Sequence, residues 1–286
     1  MKSFRELLQD GIVVFDGATG TRLDEVGVGQ DCKVEWNVSH PDAVRSVHRS
    51  YVEAGAQVVS TNTFAGNGLQ LEKAGYGGRV AELCAAAVGV AREAAGDQAL
   101  VAASLGPTGG ILEPLGALSA AQAEEAFAQQ LEAQVAAGID LILLETFGSL
   151  EEVEVAARAA RAAGPDLPLV GTMSFDTGDR TMFGVDGTTA AQRLAELGCE
   201  VVGANCAYGE GMLAAVAQMA EAVDLPVLVQ PNAGRPELVD GATTFPASPA
   251  DLAEEALKFK AAGATLFGAC CGSTAAHIRA IADAVR

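Results

Sequence analysis

The sequence predicts a single (βα)8 barrel, in which eight parallel strands alternate with eight helices. Its length of 286 residues is near that of one such barrel, roughly 250 residues. Short runs rich in Val, Ile and Leu alternate eight times with longer Ala-rich segments of helical pattern, as expected for βα units. No linker-like segment divides the chain, so we expect residues 1–286 to form one domain.

The predicted strands are nearly continuous in apolar residues, which is typical of strands buried on both faces. They span residues 12–16, 57–61, 100–105, 141–145, 169–175, 201–205, 227–230 and 265–268. The predicted helices span residues 41–54, 79–95, 119–137, 150–163, 188–197, 212–223, 249–262 and 274–285. Ser119, with Gln122 three residues later, and Ser248 before Pro249 mark two helix starts.

A doubly wound open sheet is the alternative architecture, because strand order cannot be read from a sequence. The eight predicted units follow one another without a predicted antiparallel segment or a glycine-rich dinucleotide-binding fingerprint. These features favour the closed barrel.

The charge balance and the cysteines restrict the partners and the compartment. The 18 basic and 37 acidic residues give a net charge of −19, which argues against nucleic acid and membrane surfaces as partners. No apolar run approaches the roughly 20 residues of a membrane-spanning helix, and the N-terminus lacks the apolar core of a signal peptide. We therefore expect a cytoplasmic protein with reduced thiols. Cys32, Cys84 and Cys199 fit structural roles.

The other three cysteines follow predicted strands, at the end where barrel active sites form. Cys206 follows strand six, and Cys270 and Cys271 follow strand eight. These strands are second neighbours, so their ends lie about 10 Å apart at ~4.8 Å per strand. Adjacent cysteines form a disulfide only with strain, so we interpret the three thiols as an open zinc site. Three packed, unrelated thiols are the alternative.

An open zinc site of three thiolates indicates thiol chemistry rather than hydrolysis. Three thiolates donate so much charge that the ion becomes a poor Lewis acid towards water. A free thiol, with a pKa of about 8.5, is mostly protonated at neutral pH, whereas zinc coordination deprotonates it. The predicted reaction is therefore S-alkylation of a small thiol.

The polar segments at the strand ends together resemble the homocysteine S-methyltransferase family. In chain order they are Asp16-Gly17-Ala18-Thr19-Gly20-Thr21, Thr61-Asn62-Thr63-Phe64, Gly106-Pro107-Thr108-Gly109, Glu145-Thr146-Phe147, Asn205-Cys206, Gln230-Pro231-Asn232-Ala233-Gly234 and Gly268-Ala269-Cys270-Cys271-Gly272-Ser273. The combination covers essentially the whole chain. It is most similar to the homocysteine-binding module of the cobalamin-dependent methionine synthases.

This resemblance implies a (βα)8 barrel that transfers a methyl group to homocysteine and forms methionine. It implies that Cys206, Cys270 and Cys271 hold zinc, and that the homocysteine sulfur takes the open position as a thiolate. By the same resemblance, Asn232 looks like the residue that occupies this position when substrate is absent.

The resemblance also assigns the amino-acid end of homocysteine. Asp16 and Glu145 would bind the ammonium group, although an acid at a strand end is also consistent with a helix cap or a surface charge. The substrate carboxylate would be held by backbone N–H groups near Phe64 and the Gly17-Ala18 turn, with the Thr61 and Thr63 hydroxyls in support. Phe64 is equally consistent with a simple wall of the pocket.

The methyl donor is the least determined feature. The sequence ends just after the eighth predicted helix, so we expect the folate- and cobalamin-binding modules to be absent and the donor to come from outside. The preferred donor is a methylated corrinoid protein in trans, which carries methylcobalamin. Betaine or S-methylmethionine is the alternative, although cation recognition calls for aromatic cages and the chain has 1 Trp, 3 Tyr and 10 Phe. A corrinoid-linked demethylase with another acceptor, or a binding module, also remains open.

Overall fold

The computed structural model describes residues 2–26, 32–239 and 241–286. Its strands are β1 (Val13–Val14), β2 (Val58–Ser60), β3 (Leu100–Leu105), β4 (Leu141–Phe147), β5 (Leu169–Met173), β6 (Val201–Asn205), β7 (Val227–Gln230), β8 (Glu237–Val239), β9 (Ala242–Thr244) and β10 (Leu266–Phe267). Strands β8 and β9 form a separate antiparallel hairpin. The other eight are hydrogen-bonded in the order β1-β10-β7-β6-β5-β4-β3-β2.

The two ends of this sheet meet. Phe15 and Val58 form a parallel bridge beside β1 and β2, and the N–H of Gln57 donates to the carbonyl of Val14 at 2.7 Å. Eight parallel strands thus enclose a nearly closed barrel, which confirms the predicted (βα)8 fold and excludes the open sheet.

The helices surround the barrel. They are α1 (Phe4–Asp10), α2 (Gly20–Glu25), α3 (Trp36–Ser39), α4 (Pro41–Glu53), α5 (Gly68–Lys73), α6 (Val80–Ala95), α7 (Ala120–Ala136), α8 (Leu150–Ala163), α9 (Gly187–Glu196), α10 (Gly209–Ala222), α11 (Pro249–Ala261) and α12 (Ala275–Val285). The eight predicted helices correspond to α4 and α6 to α12, with bounds within three residues. The predicted starts at Ser119 and Ser248 are confirmed, because both side chains form capping boxes.

Helix α1 was not predicted, and it packs against the interior of the barrel. Ser3 and Glu6 form a capping box at its start. Phe4 and Leu7 join a buried cluster with residues from all eight barrel strands, including Val13, and with Phe15. The rings of Phe4 and Phe15 meet edge to face at 6.1 Å. Because these strand residues lie ahead of the strand ends that carry the polar segments, the helix covers the opposite mouth of the barrel.

The remaining elements outside the prediction lie in segments that follow strands. Helices α2 and α3 follow β1, α5 follows β2, and the β8–β9 hairpin follows β7. They are too short to show a clear helical or strand period in the sequence. Together they surround the mouth of the barrel at the ends of the strands.

Among the residues described, the structure has no helix that is both long enough and apolar enough to cross a membrane.

Candidate metal centre and substrate pocket

A cavity of about 550 Å³ opens where the barrel strands end. Residues at or just after the ends of seven barrel strands line it. Nine of the predicted site residues lie on its wall: Asp16, Gly17, Ala18, Thr61, Phe64, Glu145, Cys206, Cys270 and Cys271. The barrel therefore brings together segments that are up to 255 residues apart in sequence, whereas Thr63 and Asn232 lie outside the lining.

The three cysteines converge on one point of this wall. The Sγ atoms of Cys206 and Cys271 are 4.0 Å apart, those of Cys270 and Cys271 are 3.9 Å apart, and all three lie within 4.8 Å of one another. A tetrahedral zinc ion with Zn–S bonds of ~2.3 Å requires sulfurs roughly 3.8 Å apart. The donor set and its spacing therefore fit a metal bound by three thiolates, and all three thiols are free of disulfides.

Cys206 is placed by an uncommon backbone conformation. Directly after β6 its φ is 56°, in the left-handed region that non-glycine residues rarely adopt. Its N–H donates to the carbonyl of Gln230 on the neighbouring strand at 3.1 Å. This turn takes the chain out of the sheet and directs the thiol towards the loop after β10.

The loop that carries Cys270 and Cys271 is held from two sides. On the β7 side, the N–H of Cys270 donates to the carbonyl of Pro231 at 2.7 Å, and the N–H of Cys271 donates to Oδ1 of Asn232 at 3.0 Å. On the β1 side, Oγ of Ser273 accepts from the N–H of Ala18 at 2.9 Å. Both thiols are thus fixed before any ligand binds.

The three thiol groups interact with one another through hydrogen bonds. Hydrogen bonds from Cys206 and Cys270 lower the pKa of Cys271 to about 3. Hydrogen bonds to Cys206 and Cys271 raise the pKa of Cys270 well above its ordinary value. One thiolate that accepts from two thiols marks the centre of the cluster as a place where negative charge accumulates and where a cation is favoured.

Asp16 is a buried carboxyl group on the same wall. It is 1% exposed and accepts hydrogen bonds from the N–H of Ser60 at 2.7 Å and from its hydroxyl at 3.1 Å. Burial raises the pKa of Asp16 to about 7, against the two Ser60 hydrogen bonds, and the nearby Glu145 adds to the rise. A surface charge, one of the alternatives at the sequence level, is therefore excluded for Asp16.

Glu145 is the second acid of the pocket. It accepts a short hydrogen bond from the hydroxyl of Ser104. Burial raises the pKa of Glu145 to about 7, although the Ser104 hydrogen bond opposes this shift. Two carboxyl groups in one cavity, neither with a positive partner within the described ranges, form a site suited to an ammonium ion.

The two threonines predicted to support the substrate carboxylate differ in position. Thr61 lines the cavity, but its hydroxyl is engaged by Thr63 at 2.7 Å and by the N–H of Ser104 at 3.1 Å. Thr63 is fully buried, and its hydroxyl donates to the carbonyl of Ser104 at 2.8 Å. Both hydroxyls thus already have partners within the protein.

The backbone around Phe64 and Gly17 offers other donors. In the described part of the chain, no acceptor takes the N–H of Phe64 or of Gly17, whereas the N–H of Ala18 is used by Ser273. The Phe64 side chain is 45% exposed and forms part of the cavity wall. The role of these N–H groups in holding a substrate carboxylate stays a prediction.

Asn232 lies behind the thiols. It is buried, and its Oδ1 accepts from the N–H of Cys271. This contact makes Asn232 a support of the cysteine loop in the structure. Its predicted role at the open metal position stays a prediction.

Some residues of the pocket were missed at the sequence level. Ser60 and Ser104, which hold the two acids, stand at or near the ends of otherwise apolar strands, and this was the available signal. Lys33 also lines the cavity, and its Nζ pairs with Asp24 at 2.7 Å. Nothing in the sequence pattern marks Lys33, because it lies in a loop outside the strand ends.

A family model described as homocysteine S-methyltransferase matches residues 13–285. The chain belongs to the homocysteine S-methyltransferase family. The predicted family is therefore confirmed.

Two curated relatives carry different names. The chain is 32% identical to methionine synthase of Mycobacterium tuberculosis over 299 aligned positions, which cover 98% of the chain and 25% of the relative. It is 30% identical to betaine–homocysteine S-methyltransferase 1 of Mus musculus, covering 99% of the chain and 74% of the relative. The chain thus spans about a quarter of the length of the methionine synthases that it matches.

A solved structure shows the same architecture. The metallated form of the homocysteine methyltransferase MmuM of Escherichia coli superimposes with a TM-score of 0.82 and 26% identity, covering 97% of this chain and 98% of that one. A dihydrodipicolinate synthase of Bacillus anthracis superimposes with a TM-score of 0.52 at 12% identity. The second likeness concerns the barrel fold alone.

Proposed function

We propose that this chain is a zinc-dependent methyltransferase that converts homocysteine to methionine. The observation that carries the proposal is the convergence of three Sγ atoms within 4.8 Å of one another on the cavity wall. Cys206, Cys270 and Cys271 would hold the ion. When bound, zinc would supply an open coordination position that favours the thiolate form of the substrate.

The rest of the pocket would bind and orient the amino-acid end of homocysteine. The ammonium group would lie at Asp16 and Glu145, because neither carboxyl group has a positive partner in the part of the chain that the structure describes, and an ammonium ion would stabilise their charged forms. The carboxylate would accept from the N–H groups of Gly17 and Phe64. Anchoring this end beside the thiol cluster would place the sulfur at the metal and leave the cavity mouth for the donor.

We propose that residues 1–286 act as one catalytic barrel in the cytoplasm, where the six free cysteines would stay reduced. The strongly acidic composition supports a small-molecule substrate over nucleic acid.

A methylated corrinoid in trans is the donor that the pocket supports best. Among the described residues that line the cavity, Phe64 is the one aromatic side chain, whereas a trimethylammonium or sulfonium group calls for an aromatic cage. Large apolar side chains are exposed on segments that follow the strands: Phe64, Ile111, Leu115, Met182, Phe183 and Leu238. A rim of this kind is suited to a large donor that covers the mouth.

The methyl transfer needs no reactant other than homocysteine and the methyl donor. The homocysteine thiol gives its proton to solvent, and its sulfur forms a bond to the methyl carbon. The methyl donor would give up the methyl group and keep the electron pair of the broken bond.

The donor assignment predicts which compound supports methionine formation. Zinc-loaded protein, incubated with homocysteine and methylcobalamin, is expected to form methionine faster than the same mixture without protein. Equal concentrations of betaine or S-methylmethionine are expected to give no methionine above that background. Chromatography with mass detection measures the product, and chelator-treated protein is the control.

Faster product formation from betaine or S-methylmethionine would overturn the corrinoid assignment and favour the small-molecule branch of the family. If homocysteine binds but no donor yields methionine, the binding-module alternative is favoured. If homocysteine does not bind at all, the acceptor assignment fails.

A further inference from the structure

Two buried glutamines on helix α7 reach the end of the barrel strands. Gln130 and Gln134 lie one helical turn apart and are fully buried. Nε2 of Gln130 donates to the carbonyls of Thr63 and Ser104 at 3.0 and 2.8 Å. Nε2 of Gln134 donates to the hydroxyls of Thr61 and Thr63 at 3.2 and 2.8 Å. The helix therefore contacts the strand ends through polar groups rather than through apolar packing alone.

These contacts converge on the main chain of Ser104. Its carbonyl accepts from Gln130 and also from the hydroxyl of Thr63 at 2.8 Å. Its N–H donates to the hydroxyl of Thr61 at 3.1 Å. Both polar groups of the Ser104 backbone are thus held by a network anchored on α7.

The side chain of Ser104 connects this network to the pocket. Its hydroxyl donates to Oε1 of Glu145, which lines the cavity. Gln130 and Gln134 do not line the cavity themselves. They act on Glu145 through Ser104 and the two threonines.

The network is not explained by stability alone. Within the described chain, Oε1 of Gln130 and Oε1 of Gln134 are buried without hydrogen-bond partners, and such groups cost free energy. The neighbouring positions Phe127 and Leu131 on the same helix show that this face accepts apolar residues. Two glutamine amides that lower stability at buried positions indicate that their hydrogen bonds serve to position the groups that they contact.

We propose that Gln130 and Gln134 are positioning residues that aim the Glu145 carboxylate at the ammonium group of an amino-acid thiol. This inference rests on the proposed function, because it takes Glu145 as the ammonium partner. It makes the α7 network a determinant of selectivity for α-amino thiols over thiols without an amino group. The cysteine loop is held by separate contacts from Asn232 and Pro231, so loosening Glu145 leaves the thiol position intact.

The test compares two thiols on methionine variants of the zinc-loaded protein. Methionine keeps the length of glutamine and a similar helix propensity but donates no hydrogen bond. Gln134→Met and Gln130→Met are each expected to weaken homocysteine binding by about tenfold. This corresponds to a partial loss of the charge-assisted hydrogen bond between Glu145 and the substrate ammonium group. Binding of 4-mercaptobutanoate, which is homocysteine without its amino group, is expected to stay within about twofold by the same reasoning. Titration calorimetry measures both affinities without a methyl donor.

Matched variants separate positioning from general damage. Ser104→Ala removes the last link and is expected to reproduce the selective loss. Gln129 lies on the same helix, but within the described residues its exposed side chain bonds only to Glu125 at 2.9 Å, so Gln129→Met should affect neither thiol. If a methionine variant fails to fold, Gln134→Asn keeps the amide but is one methylene too short to reach the threonines, and it carries the same expectation.

Equal losses for both thiols, with unchanged zinc content, would overturn the proposal and leave the network a purely structural role. Unchanged binding of homocysteine in both glutamine variants would also overturn it. A wild-type protein that binds zinc but neither thiol would instead refute the proposed function itself.

Discussion

Replacing Cys206 with alanine is expected to abolish tight zinc binding and to lower methionine formation by at least about a hundredfold. This loss exceeds the usual effect of mutating a residue that only hydrogen-bonds to a metal ligand. The protein supplies three thiols within 4.8 Å of one another. Removing one leaves the adjacent pair Cys270 and Cys271, whose two donors cannot complete a catalytic zinc site of three protein ligands. Zinc content after gel filtration, measured by atomic emission, and the rate of methionine formation report the effect.

Two other cysteines provide controls for this experiment. Cys32 lines the same cavity but lies outside the cluster, and Cys199 is buried elsewhere. Cys32→Ser and Cys199→Ser are expected to retain one zinc per chain. A Cys206→Ala protein with the wild-type zinc content would contradict the ligand assignment.

The second large effect is expected at Glu145. Glu145→Gln should raise the KM for homocysteine by about 10- to 100-fold, the usual worth of a charge-assisted hydrogen bond. It should leave the KM for 4-mercaptobutanoate nearly unchanged, because that thiol has no ammonium group. Steady-state kinetics with both thiols, on protein of verified zinc content, measure the difference.

The same variant should change the pH dependence. Burial raises the pKa of Glu145 and of Asp16 to about 7, and only their ionised forms attract an ammonium group. In the wild type, the KM for homocysteine should therefore fall as pH rises from about 5.5 towards 7.5, around those pKa values. Glu145→Gln should show a shallower fall, since one titrating group is gone. An identical pH profile in the variant and the wild type would contradict the role of Glu145.

Rising pH is expected to lower the folding stability that these two carboxyl groups contribute, while it improves substrate binding. Both carboxyl groups have a higher pKa in the folded than in the unfolded protein, so the unfolded state releases their protons first as pH rises. Stability contributed by the protonated forms is therefore present below the unfolded pKa values of about 4 and is lost as pH rises towards about 7. The pocket therefore binds substrate best in the pH range where the protonated carboxyl groups contribute least to the stability of the folded protein.

Much of the site could be predicted because it lies at strand ends. The periodicity of the chain located β6 and β10 to within a residue or two, and this placed Cys206 and Cys270 on one rim. Asp16 and Glu145 followed from the same argument. Burial on both faces makes such strands stand out in a sequence, so their ends are easy to find.

The direction of individual side chains could not be predicted in this way. Strand β2 ends at Ser60, and the chain then turns so that the N–H of Thr63 donates to the carbonyl of Thr61 at 2.8 Å. This turn buries the Thr63 hydroxyl against Gln134 rather than exposing it to substrate. The left-handed conformation of Cys206 is likewise a tertiary effect, because nothing in its local sequence favours it.

The contacts that hold the acids were also beyond the sequence. Ser104 meets Glu145 across 41 residues of sequence, and Gln130 and Gln134 reach the strand ends from a helix whose alanine-rich pattern suggested ordinary packing. Polar residues on an inward helix face are visible in a sequence, but their partners depend on how the helix docks.

The most direct test of the central claim is zinc-edge X-ray absorption on the zinc-loaded protein with and without homocysteine. We expect three sulfur ligands at about 2.3 Å in the free protein and four after homocysteine is added, because the substrate thiolate takes the open position. A sulfur count that stays at three in the presence of saturating homocysteine, or fewer than three sulfurs in the free protein, would contradict the account.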